Sequence, residues 1–108
     1  MGANEQDMAE AINRVITLKG GMVVFADGKV QAELALPIGG VASDQPMEII
    51  AQKVETIQQK MAELGCPFPD AHMTLTIMTT PAIPFLRISE DGLVDVRKGK
   101  FADLVVHQ

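Results

Sequence analysis

The sequence predicts an α+β fold in which two helices pack on one face of a mixed or antiparallel β-sheet. Three observations carry that expectation. Asp27-Gly28 sits between two β-rich runs, the strongest short hairpin signal because a type I′ turn needs positive φ at both central positions. Met47, Ile50, Val54, Ile57, Met61 and Leu64 recur at alternating spacings of three and four, the seam of an amphipathic helix. The strand-like runs do not alternate with helices in the manner of a doubly wound sheet.

Taken in order, Asn4 followed by Asp7 resembles a capping box. Met8, Ala11, Ile12, Val15 and Ile16 then form one apolar stripe, so a helix is expected from about Glu5 to Leu18. Gly20-Gly21 stops it, with Gly20 suited to the left-handed C′ position. Met22 to Ala26 reads as a strand that is apolar on both faces and therefore central. In the next strand Val30, Ala32, Leu34 and Leu36 alternate with Gln31, Glu33 and Ala35 until Pro37 ends it. Ser43, Asp44 and Pro46 mark the start of the second helix, with the side chains of Ser43 and Asp44 as expected caps, and Gly65 with Pro67 marks its end. His72 to Thr80 is rich in β-branched residues and is expected to be a strand interrupted by Pro81 and Pro84. Phe85 to Ile88, Leu93 to Val96 and Phe101 to Val106 are further strands, separated by Glu90-Asp91-Gly92 and Lys98-Gly99-Lys100. The expected organisation is a single domain over residues 1–108.

Composition narrows the function. Apolar residues make up 47% of the 108 residues, enough for a core. Aromatic content is only 4%, all Phe, and seven Met residues fill in; Met specifies a core less sharply than Phe or Leu, which hints at packing completed against a partner. A net charge of −5 without a basic, aromatic-interleaved stripe disfavours nucleic acid. Arg97, Lys98 and Lys100 read as a hairpin turn. The single Cys66 fits a reducing cytoplasm, and no run approaches the roughly 20 apolar residues of a membrane span.

No complete catalytic site is legible. A metal hydrolase needs several ligands converging on one ion, whereas this chain has two histidines, His72 and His107, and no HxH, HExxH or CxxC. Cys66 is expected to be a small buried hydrophobe at a helix end. Gly39-Gly40 fits neither GxGxxG nor the Walker pattern, and Glu90, Asp91 and Asp95 lack the twelve-residue calcium loop. The loop from Ile38 to Gln45, carrying Gly39, Gly40, Ser43 and Asp44, is the candidate for an interdomain contact, because loops held by rigid elements concentrate such contacts. The competing view is that it only caps the second helix.

The ordered set of residues nevertheless resembles one family. Gly2-Ala3-Asn4, Asp7-Met8, Ala11-Ile12-Asn13-Arg14, Gly20-Gly21-Met22-Val23-Val24 and Asp27-Gly28-Lys29-Val30 begin the pattern. Ala32-Glu33-Leu34, Leu36-Pro37-Ile38, Ser43-Asp44, Pro46, Leu64-Gly65-Cys66-Pro67, Pro69-Asp70, Met73-Thr74-Leu75, Ile83-Pro84 and Gly92-Leu93-Val94-Asp95-Val96 continue it. The pattern is similar to the C-terminal domain of adenine deaminase, of the amidohydrolase superfamily. The resemblance implies a parent enzyme that hydrolyses adenine to hypoxanthine and ammonia with metal-activated water. It also implies that the divalent metal, manganese or iron, is held in an upstream amidohydrolase barrel domain of the same polypeptide. No catalytic, cofactor or metal residue carries over to this chain, which on this reading is an excised fragment, inactive alone, with a homo-oligomer as a further expected partner. Gly99 to Val106 resembles the tail of the small amidohydrolase β-sandwich, but the longer ordered match favours an edge strand of this domain. A stand-alone binding or oligomerisation module is the other function class.

Overall fold

A computed structural model describes residues 1–80 and 85–103. The elements are α1 (Glu5–Leu18), β1 (Gly21–Ala26), β2 (Lys29–Ala35), α2 (Met47–Glu63), α3 (Ala71–Met78), β3 (Leu86–Ser89), β4 (Gly92–Asp95) and β5 (Lys100–Phe101). β1 and β2 form one antiparallel sheet; β3, β4 and β5 form another, in that order. The α+β class holds. The chain divides into two units, residues 1–72 and 73–108.

In the first unit Asn4 caps α1, its Oδ1 accepting from the Asp7 N–H at 2.9 Å. Its Nδ2 donates to Asp7 Oδ2 at 2.8 Å, which satisfies a carboxylate that is only 5% exposed. The helix closes in a Schellman arrangement: the Lys19 N–H donates to Ile16 and the Gly20 N–H to Val15. The left-handed C′ residue is Lys19 (φ 61), not Gly20 as the sequence suggests. Gly20 is needed for something else, because a Cβ there would fall 2.4 Å from the Gly40 Cα.

The hairpin turns at Asp27 (φ 55) and Gly28 (φ 72), the two positive φ values a type I′ turn demands. Val23 stands opposite Glu33, and on that side Val23 and Phe25 cluster with Ala11, Val15 and Leu18 of α1. There Arg14 clamps Glu33 through Nε and Nη2, each at 2.8 Å. Met22 opposite Leu34 and Val24 opposite Ala32 point the other way, where α2 lies against β2 with Ile57 and Met61 buried. The hairpin therefore carries one helix on each face rather than two on one. This is why β1 is apolar on both sides although its sheet has two strands. A two-stranded ribbon, with strands about 4.8 Å apart, covers only a narrow sector of a helix. The expected α1 stripe accordingly splits, Ala11 buried and Met8, Ile12 and Ile16 exposed.

α3 replaces the strand expected over 72–80. Pro69-Asp70 precedes it as a start signal, and the propensity penalty of β-branched residues, a few tenths of a kcal/mol each, is too small to forbid a short helix. The Thr79 and Thr80 hydroxyls both donate to the Thr76 carbonyl and close its last turn. In the second unit the β3–β4 turn is held by Ser89 Oγ, which donates to the Gly92 carbonyl at 3.0 Å. Arg97 lies over the Phe85 ring, 3.6 Å from its centroid. β5 pairs with β4 through Val94–Phe101 and Asp95–Lys100, as an edge strand. Pro81, Ile83, Pro84, His107 and the expected continuation of this strand to Val106 lie outside the described residues.

Candidate functional site

The loop after β2 is built by backbone geometry. The Leu36 N–H donates to the Gly20 carbonyl at 3.1 Å, after which Pro37, lacking an N–H, ends the ladder. Ile38 and Ala42 then form an antiparallel bridge: the Ile38 N–H donates to Ala42 at 3.0 Å and the Ala42 N–H to Ile38 at 3.1 Å. Between them Gly39 (φ 62) and Gly40 (φ 78) both adopt positive φ, the signature of a second type I′ turn. A side chain at either position would meet no neighbour within 4 Å, so glycine is required there by conformation and not by space. The turn is braced at its second glycine, the Gly40 backbone lying directly against Gly20.

This turn is a fixed mount for two apolar side chains, Ile38 at 55% and Val41 at 82% exposure. Neither was singled out by sequence reasoning; the available signal is the glycine doublet flanked by Ile and Val at hairpin spacing. Gly39, Gly40, Ser43 and Asp44 do lie on one loop. Ser43 and Asp44, however, do not cap α2. The N-cap is Pro46, without a side-chain cap hydrogen bond, and Ser43 Oγ instead accepts from the Gln45 N–H at 3.2 Å. Pro46 takes the cap position because its fixed φ (−53) leads into the helix, which leaves Ser43 and Asp44 too far upstream. Gln45 Oε1 accepts from Lys53 Nζ at 3.1 Å, tying the loop to the first turns of α2. Capping alone therefore does not account for this segment.

The other candidates do not assemble into a catalytic or metal centre. Among the described residues no three His, Cys, Asp or Glu side chains are placed to hold a metal ion. Cys66 is half-buried just past α2, its N–H donating to the Met61 carbonyl, as expected of a residue closing a helix. His72 is half-buried in the first turn of α3. Asp95 accepts from the Lys98 N–H at 3.0 Å and pairs with Lys98 Nζ at 3.3 Å. The backbone hydrogen bond from Lys98, chiefly, holds its carboxyl below the usual aspartate range. Asp91 donates its N–H to Ser89 Oγ, so these acidic residues shape a turn. The hydrogen bond from Arg14, above all, holds the Glu33 carboxyl below the usual glutamate range. No described helix is long and apolar enough to cross a membrane.

Comparison with known proteins gives a consistent picture. The family model for the adenine deaminase C-terminal domain matches residues 1–100, which takes in residues of both units. The adenine deaminase of Methylobacterium nodulans is 46% identical over 96 residues, covering 89% of this chain and 17% of that protein. That of Kosmotoga olearia is 42% identical over 106 residues, 98% of this chain and 18% of its own. That of Clostridium perfringens is 41% identical over 104 residues, 96% and 18% respectively. The chain thus spans less than a fifth of the length of these curated relatives.

Proposed function

The chain belongs to the adenine deaminase C-terminal domain family, and we propose from that premise that it serves as the accessory C-terminal domain of an adenine deaminase, an enzyme that hydrolyses adenine to hypoxanthine and ammonia. The reaction is assigned to the upstream part of the polypeptide, a metal-binding barrel carrying manganese or iron. Activating water at neutral pH takes a coordinated ion, and the described residues of this chain do not form a ligand set for one. The family's metal chemistry therefore has no step routed through the residues named here. A free Cys66 suits operation in the reducing cytoplasm.

Within that enzyme the role of this domain is to dock on the catalytic part through the Ile38–Val41 turn. The observation that carries this reading is a turn closed by the paired Ile38–Ala42 hydrogen bonds that holds Val41 almost wholly in solvent. A rigid turn has little conformational entropy left to lose on contact, so an apolar side chain on it is a preorganised anchor. The test is Val41→Asp. In the isolated chain it should change stability by no more than about 0.5 kcal/mol, as for other exposed positions. In the full-length enzyme it should lower turnover or loosen the domain, read as faster proteolytic release of this segment. Unchanged turnover together with unchanged proteolysis would exclude the turn as a contact.

A further inference from the structure

β1 has a second edge. Successive peptide groups of an extended strand point to alternate edges of the sheet. The bond from the Leu36 N–H to the Gly20 carbonyl sets the parity, so Gly20, Met22 and Val24 address β2. Gly21, Val23 and Phe25 address the opposite edge, where the first residues of the chain lie. The Phe25 N–H donates to the Met1 carbonyl at 2.9 Å, the Met1 ammonium donates to the Val23 carbonyl, and Gly2 forms a parallel bridge with Phe25. Gly2 is fixed as glycine by this path, since a Cβ would fall 2.4 Å from the Met8 nitrogen and 2.5 Å from the Asp7 carbonyl carbon. The ammonium occupies the place of a peptide N–H in a parallel ladder. It is half-buried, and desolvation lowers its pKa from the usual terminal-amine range.

Met1 and Gly2 run along this edge in parallel register with Val23 and Phe25, which sets the line on which any further strand residue would enter. We propose that the edge of β1 opposite β2 takes a third strand, parallel to β1, formed by the residues immediately N-terminal to Met1 in the longer polypeptide. The relatives, of which this chain covers 17–18%, are long enough to supply it. The register fixes the contacts. The second residue before Met1 accepts from the Val23 N–H through its carbonyl and donates its own N–H to the Gly21 carbonyl. The residue immediately before Met1 turns both groups away. The preceding segment therefore enters this domain as a strand of its sheet and not as a loose tether.

The test compares the 108-residue chain with the same chain carrying its four preceding residues, by amide hydrogen exchange at single residues. The Val23 amide should slow by about tenfold or more relative to the Val24 amide, which faces β2, as expected for a group newly taken into a ladder. Proline at the second residue before Met1 should abolish that gain. Proline immediately before Met1, where the N–H faces outward, should preserve it. Unchanged exchange at Val23, or equal effects of the two prolines, overturns the proposal. So does concentration-dependent protection with dimer formation, which would make a second copy the occupant. No readout here involves turnover or Val41, so failure leaves the docking reading untouched, and the reverse also holds.

Discussion

Ile57 is the most direct test of how the first unit is held together. It is 1% exposed, on the side of α2 that faces β2. Ile57→Ala removes Cγ1, Cγ2 and Cδ1, worth about 2.4 kcal/mol of transfer free energy at roughly 0.8 kcal/mol per carbon. The cavity left behind adds to that, to a total between about 2.4 and about 5 kcal/mol. Against the roughly 5–15 kcal/mol that holds an ordinary domain together, that is a large fraction. At about 4–8 °C per kcal/mol it corresponds to a Tm lower by at least about 10 °C. With no Trp or Tyr in the chain, urea unfolding is followed by far-ultraviolet circular dichroism. The midpoint should fall without change in the slope m. Gln59→Ala, at an exposed position whose amide donates to Glu63, is the control and should stay within about 0.5 kcal/mol. Equal losses for the two variants would refute the orientation of α2 and the assignment of a helix to each face of the hairpin.

Asn4→Ala should cost about 0.5–2 kcal/mol by removing the α1 cap, and it also strips a donor from the buried Asp7; an unchanged urea midpoint would show that the cap is not formed. The Glu33 carboxyl is held down by Arg14, so its contribution is complete above the usual glutamate range and is lost as pH falls through the lowered folded-state value. Glu33→Gln should therefore flatten the acid limb of the stability–pH profile, and superimposable profiles for variant and parent would contradict the clamp.

The parts of the fold legible in the sequence were those governed by local chemistry. α1 is capped by Asn4 and ends at Leu18, and the Asp27-Gly28 turn forms, because caps and positive-φ turns are decided within a few residues. What depended on distant partners was less legible. The covering of both hairpin faces is set by which residues of β1 and β2 share a side, a matter of register. Lys19 takes the C′ place, and the need for glycine at position 20 lies instead in a contact with Gly40, twenty residues away in sequence. α3 was misread because a run of Thr, Ile and Met satisfies a strand pattern in composition while leaving helical spacing equally possible. At the candidate site the glycine doublet pointed to the correct loop. The side chains that the loop presents, Ile38 and Val41, became visible only once the bridge between Ile38 and Ala42 was known.

The meeting of Gly20 with Gly40 has a mechanical consequence. Where side chains intervene, a displaced loop can be accommodated by a rotamer change; here main chain bears on main chain, and no such cushion exists. A displacement of Gly40 would therefore bear on the Gly20 backbone, whose N–H, with that of Lys19, makes the last hydrogen bonds of α1, to Val15 and Ile16. The amides of Lys19 and Gly20 are thus built-in strain gauges, where engagement of the far side of the loop would register without any probe being attached.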